Sequence, residues 1–103
     1  MIVVGALAVD LAAHTASVRG REAHLTPTEF SLLAILARHA GRVVTQRQVL
    51  REVWGPQAEE RGQYTRVYMT HLRKKLAAAG LDGDRIRTEP GIGYRLLDEA
   101  CSP

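Results

Sequence analysis

Apolar positions change their spacing twice along this chain. Through the first twenty-five residues they come in brief bursts, IVVG, ALAVDL, TASVRG and REAHL, parted by turn-prone spots near Gly5, His14 and Gly20. Short apolar or β-branched runs between such breaks predict a small antiparallel sheet. From Thr26 the spacing lengthens to three and four. Thr26-Pro27-Thr28-Glu29 offers an N-cap, a proline suited to the first helical position and a glutamate able to close a capping box. Phe30, Leu33, Ala34 and Ala37 then form an inward stripe with Leu36 beside it, and His39-Ala40-Gly41 supplies the stop. Arg42-Val43-Val44 reads as an extended link. Thr45 caps a second helix, whose inward residues are Val49, Leu50, Val53 and part of Trp54, and Gly55-Pro56 ends it.

Residues 55–62 read as a polar loop containing Gln57, Glu59 and Glu60. A third helix follows and stops near Gly80. Ile86-Arg87-Thr88-Glu89 and Tyr94-Arg95-Leu96-Leu97 then flank Pro90-Gly91-Ile92-Gly93, a hairpin whose turn glycines allow positive φ. The predicted fold is α+β: a small N-terminal antiparallel sheet, three helices and a C-terminal hairpin, in one domain over residues 1–103. Two helices leading into a third, then a hairpin, describe a helix-turn-helix with a wing.

The third helix, TRVYMTHLRKKL, has two faces. At about 100° per residue, Thr65, Met69, Leu72 and Leu76 share one narrow sector, which is a core seam. Gln63, Val67, Thr70, His71 and Lys74 fall opposite, with Arg66 and Arg73 on one flank and Lys75 on the other. The polar sector has no carboxylate, is rich in hydrogen-bond donors and holds an apolar Val67 at its middle. That is odd for a face that only meets water. It suits a helix entering the major groove, with a hairpin beside it reaching the minor groove.

Charge agrees with this reading. The net charge is +3, and residues 61–75 hold five Lys/Arg and no acid. A small domain with its cations gathered on one helix has the footprint of a polyanion binder. No apolar run is long enough to span a bilayer, and the N-terminal apolar stretch lacks a basic segment and is interrupted by Asp10, so no signal peptide is expected. One cysteine, Cys101, excludes an internal disulfide framework and fits a reducing cytoplasm. The four histidines show no ligand spacing, and Gly91-Ile92-Gly93 lacks the third glycine and helix of a nucleotide loop. No enzyme, metal or cofactor is expected.

The segments LTPTEFSLLAILARHAGRVVTQRQVLREVWG, YTRVYMTHLRKKL and IRTEPGIGYRLL, in this order, closely resemble the winged-helix effector domain of OmpR/PhoB-type two-component response regulators. The resemblance covers residues 3–97. The WGP turn, the third helix and the GIGYR hairpin resemble in particular the members that regulate a potassium-uptake operon. It implies transcriptional regulation by binding duplex DNA. A phosphorylated receiver domain, absent from this chain, would drive dimerisation, and two effector domains would bind direct repeats head to tail. The isolated domain is expected to be a monomer. Asp10 is not a phosphoacceptor. By position, Trp54, Tyr64, Arg73 and Tyr94 would contact phosphates, and Val67, Thr70 and His71 would meet base edges; the faces of the third helix add Arg66 and Lys74 to the first group and Gln63 to the second. Thr88 would lie where the wing nears the minor groove. The loop with Gln57, Glu59 and Glu60 corresponds to the segment that touches RNA polymerase in some members.

Two departures alter these expectations. Several members carry an arginine where His71 stands, and histidine cannot make the two-pronged contact with guanine, so the preferred bases should differ. Pro90 occupies the place of a wing-tip arginine, which shifts the wing toward backbone contacts from Arg87 or Arg95. Three other readings compete: a solvated basic face, a winged helix docking an acidic partner such as a polymerase subunit, and a nucleoid binder without sequence preference. Val67 among donors on an acid-free face favours the groove over the docking module, and with the wing and the family motifs over a solvated face, while a nucleoid binder would show no sequence preference.

Overall fold

The computed structural model describes residues 1–54, 62–81 and 85–97, apart from the side chains at positions 54 and 62–64. The chain opens with β1 (Ile2–Val4), β2 (Leu7–Asp10), β3 (Thr15–Val18) and β4 (Arg21–Ala23), followed by α1 (Pro27–Arg38). Next come β5 (Val44–Thr45), α2 (Gln46–Trp54), α3 (Gly62–Ala78) and the wing strands β6 (Ile86–Glu89) and β7 (Gly93–Leu96). The expected sheet, three helices and hairpin are all present. The end of the second helix at Gly55-Pro56, the 55–61 loop, Cys101 and the tail after Leu97 lie outside the described residues.

The first four strands form an antiparallel meander in chain order. Its register sets Leu7 opposite Val18 and Val9 opposite Ala16, and all four side chains are buried on one face. Alternation along each strand therefore puts a continuous apolar row against the helices. The tight turns fall where the sequence suggested. Gly5, His14 and Gly20 take φ of 60°, 55° and 85°, and Asp10 Oδ1 accepts the N–H groups of Ala12 and Ala13, each at 3.1 Å. Asp10 is a turn residue.

The start of α1 follows its sequence closely. The Thr26 hydroxyl accepts the Glu29 N–H at 3.3 Å, and the Glu29 carboxylate accepts the Thr26 N–H at 2.9 Å. The inward stripe proved too narrow, however. Leu32 and Ile35 are buried along with Phe30, Leu33, Ala34, Leu36 and Ala37, because α1 is packed by β1, β7, α2 and α3 together. Only Pro27, Thr28, Ser31 and Arg38 keep contact with solvent, so the polar face is too narrow to mark the period.

Val44, expected in a link, is also part of a sheet. Val44 pairs with Tyr94 and Thr45 with Gly93, making a three-stranded sheet in the order β5-β7-β6. Thr45 caps α2 as expected, its hydroxyl accepting the Gln48 N–H at 3.1 Å. The start of α2 and the wing are thus one sheet-bound unit.

Within α3, the core seam is as expected: Thr65, Met69, Leu72 and Leu76 are all buried. Thr65 carries a cost, since its Oγ1 is buried with no hydrogen-bond partner among the described residues. Thr65→Val, close in shape and free of that hydroxyl, is expected to stabilise the fold by about 1 kcal/mol. Urea denaturation checks this, and a lower midpoint than wild type would contradict it.

Candidate nucleic-acid interface

A 17-residue helix such as α3 is about 25 Å long, enough to cross a groove. Opposite its buried seam, Val67, Thr70, His71 and Lys74 are exposed, Val67 by 51%. Their spacing of three and four makes one stripe about 10 Å long, comparable with a major-groove width of about 12 Å. The Thr70 hydroxyl donates to the Arg66 carbonyl at 2.9 Å, leaving its lone pairs facing outward to accept.

The two flanks of the helix do different things. On one flank, Lys75 Nζ reaches across to Glu29 Oε1 at 2.6 Å. Burial pushes the Glu29 carboxyl up, but the Lys75 ammonium and the bonds to Thr26 outweigh it and hold the group below the ordinary glutamate value. Lys75 therefore fastens α3 to the start of α1. On the other flank, Arg66 and Arg73 face the wing across a cleft of about 350 Å³, which Thr70, Thr88, Pro90 and Ile92 also line.

The wing is held from two sides. Its turn closes with the Ile92 N–H donating to the Glu89 carbonyl at 3.0 Å, and the Ile92 carbonyl accepts the Gln46 N–H at 3.0 Å. That second bond pins the turn to the first residue of α2. Glu89 is a carboxylate beside the cleft, and Arg95 neutralises it at 2.7 Å. Arg73 donates from Nε to the Ile86 carbonyl at 3.2 Å and from Nη2 to the Thr88 hydroxyl at 2.6 Å.

The sequence-derived site residues thus fall into groups. Val67, His71 and Lys74 are exposed together, while Arg66, Thr70, Arg73, Thr88 and Tyr94 line the cleft. Tyr94 is 5% exposed, so its ring is packed in the core at the edge of the cleft. Strand alternation puts Arg87 and Arg95 on the opposite face of the wing from Thr88 and Tyr94. Arg87 is exposed, whereas Arg95 is half-buried on Glu89. The side chains of Trp54, Gln63 and Tyr64, and the loop with Gln57, Glu59 and Glu60, lie outside the described residues. Sequence reading overlooked Gln46 and Ile92. Ile92 is 56% exposed at the wing turn, and its apolar character in a glycine-flanked turn was the available signal. Gln46 carried none, because its place depends on the β5–β7 pairing. Among the described residues, no three His, Cys, Asp or Glu side chains group as metal ligands, and no helix is long and apolar enough to cross a membrane.

Comparison with known proteins agrees with this geometry. The family described as "Transcriptional regulatory protein, C terminal" matches residues 20–96. The KDP operon transcriptional regulatory protein KdpE of Escherichia coli is 52% identical over 89 residues, which cover 86% of this chain and 40% of that protein. KdpE of Mycobacterium tuberculosis is 44% identical over 87 residues, covering 84% of this chain and 38% of the relative. The chain thus spans about two fifths of the length of these curated relatives. Among solved structures, the DNA-binding domain of CpxR from E. coli superposes with a TM-score of 0.82 at 33% identity, covering 94% of this chain and 95% of that one. The Klebsiella pneumoniae RstA DNA-binding domain in complex with RstA box gives 0.82 at 27% identity, covering 94% and 96%. Both the family resemblance and the likeness to KdpE are borne out.

Proposed function

This chain belongs to the transcriptional regulatory protein C-terminal family of OmpR/PhoB type, and from that premise we propose that it binds duplex DNA sequence-specifically as the effector domain of a two-component response regulator, controlling transcription of a potassium-uptake operon. The observation that carries this reading is the exposed stripe of Val67, Thr70, His71 and Lys74 beside a wing whose one cleft carboxylate among the described residues, Glu89, is neutralised by Arg95. A negatively charged duplex meets no repulsion there.

In this reading, the stripe lies in the major groove. Gln63, Val67, Thr70 and His71 read base edges, with Val67 suited to a thymine methyl, and each good base contact is worth about 1–3 kcal/mol. Trp54, Tyr64, Arg66, Arg73, Lys74 and Tyr94 meet phosphates and set position and register. Arg87, Thr88 and Arg95 contribute from the wing. In the full regulator, a receiver domain brings a second copy head to tail on a direct-repeat operator, and Gln57, Glu59 and Glu60 face RNA polymerase. The protein acts in the cytoplasm and not as an enzyme.

Fluorescence anisotropy with a KdpE-type operator duplex and a scrambled duplex, at two salt concentrations, tests the proposal. Tighter operator binding that falls with salt at a log–log slope of about three to five is expected. Equal binding to both duplexes would make the domain a non-specific binder. No binding at low salt would favour a module that docks an acidic protein. The division of roles has its own test. His71→Ala is expected to relax base preference, whereas Lys74→Ala weakens all duplexes alike and lowers the salt slope by about one unit. Equal losses across sequences for both variants would defeat that division.

A further inference from the structure

We propose that Arg73 is a positioning residue, a strut that locks the wing to the recognition helix so that the two engage DNA as one rigid surface. The proposal rests on the DNA-binding reading and extends it. Its basis is the position of β6 in its sheet. The order β5-β7-β6 makes β6 an edge strand, paired on one side only. In an antiparallel ladder, successive residues point their N–H and C=O groups alternately toward the partner and away from it. The Leu97 N–H donates to the Arg85 carbonyl at 2.7 Å, so the next carbonyl, that of Ile86, faces the open edge. Arg73 Nε occupies this carbonyl.

The second prong ends on the Thr88 hydroxyl, two residues along the same edge. A planar guanidinium can hold two acceptors in fixed relation, which a lysine ammonium on a flexible stem does not do. Strand β6 is therefore gripped from both sides: by β7 on its inner edge and by α3, through Arg73, on its outer edge. Without that grip, the cleft of about 350 Å³ separates the wing from Arg66 and Thr70. With it, the spacing between Thr88 and the reading stripe is set before DNA arrives. Preorganisation of this kind reduces the ordering cost of binding and favours duplexes whose groove spacing matches.

A purely electrostatic role makes the opposite demands, which gives the test. Arg73→Lys keeps the charge and loses the fork. Thr88→Val keeps the shape and loses the acceptor. Thr88→Ser restores the acceptor. In anisotropy titrations, Arg73→Lys is expected to lose about tenfold in operator affinity with an unchanged salt slope. Thr88→Val should lose several-fold, Thr88→Ser should bind as wild type, and the double variant Arg73→Lys/Thr88→Val should bind no worse than Arg73→Lys alone. Amide exchange in the free domain supplies an independent readout. The Arg87 and Arg95 N–H groups, paired across β6 and β7, should exchange faster in Arg73→Lys and Thr88→Val but not in Thr88→Ser. Near-wild-type operator binding by Arg73→Lys, additive losses, or unchanged exchange at the wing would overturn the strut. If wild type fails to prefer the operator, the DNA-binding reading fails instead, and exchange at the wing still reports on the Arg73 contact.

Discussion

Gly93→Ala is expected to destabilise the domain by about 3 kcal/mol or more, the upper end of what overpacking costs. The reason is close approach of backbone to backbone. A Cβ at position 93 would stand 2.0 Å from the Val44 carbonyl oxygen and 2.8 Å from the Thr45 Cα. Neither atom belongs to a side chain that can swing aside. Relief requires β5 to leave β7, and β5 is the residue pair that hands the chain into α2. A domain of this size has about 5–15 kcal/mol of stability, and each kcal/mol shifts the melting temperature by roughly 4–8 °C. Thermal unfolding followed by circular dichroism reads the effect directly. Gly91→Ala is the control. Gly91 has φ of 74° but open space around it, so only backbone strain of about 1 kcal/mol is expected. If both substitutions cost the same, the approach of Val44 to Gly93 is not what fixes the wing.

That contact also marks where sequence reading reaches its limit. The capping box at Thr26 and Glu29, the N-cap at Thr45 and the buried seam of α3 depend on neighbours within one or two turns, and each could be read from local spacing. The exposed stripe of Val67, Thr70, His71 and Lys74 follows from the same periodicity, so the candidate surface was legible too. The pairing of Val44 with Tyr94 was not, because its partner lies about fifty residues away and two residues make no pattern. Likewise, the outward cations of α3 look equivalent as a list of charges. Only the fold separates them: Arg73 grips the wing, Lys75 holds Glu29, and Arg66 and Lys74 remain exposed.

The second large effect concerns that Lys75 contact and its dependence on pH. Glu29 is 2% exposed and Lys75 Nζ is its ionic partner at 2.6 Å. Lys75→Met keeps the stem and removes the charge, leaving a buried carboxylate with only its Thr26 bonds. A charged hydrogen bond contributes about 1.5–3 kcal/mol. Lys75 is 38% exposed, so solvent screening reduces this to about 1–2 kcal/mol of expected loss at neutral pH. The pH profile should change as well. In the wild type, burial raises the Glu29 pKa, but Lys75 and Thr26 together outweigh it and hold the net value below the ordinary one. A depressed carboxylate contributes stability that is complete above the unfolded-state value of about 4.3 and is lost as pH falls through the folded value. Removing Lys75 leaves burial opposed only by Thr26, so the folded pKa rises toward or past the unfolded one. The variant is therefore expected to lose less stability than wild type on acidification below about pH 4.3, and the two curves should converge. Urea midpoints measured across that range decide the matter. Parallel curves would mean that Glu29 does not depend on Lys75 for its charge, and that the start of α1 holds the recognition helix by packing alone.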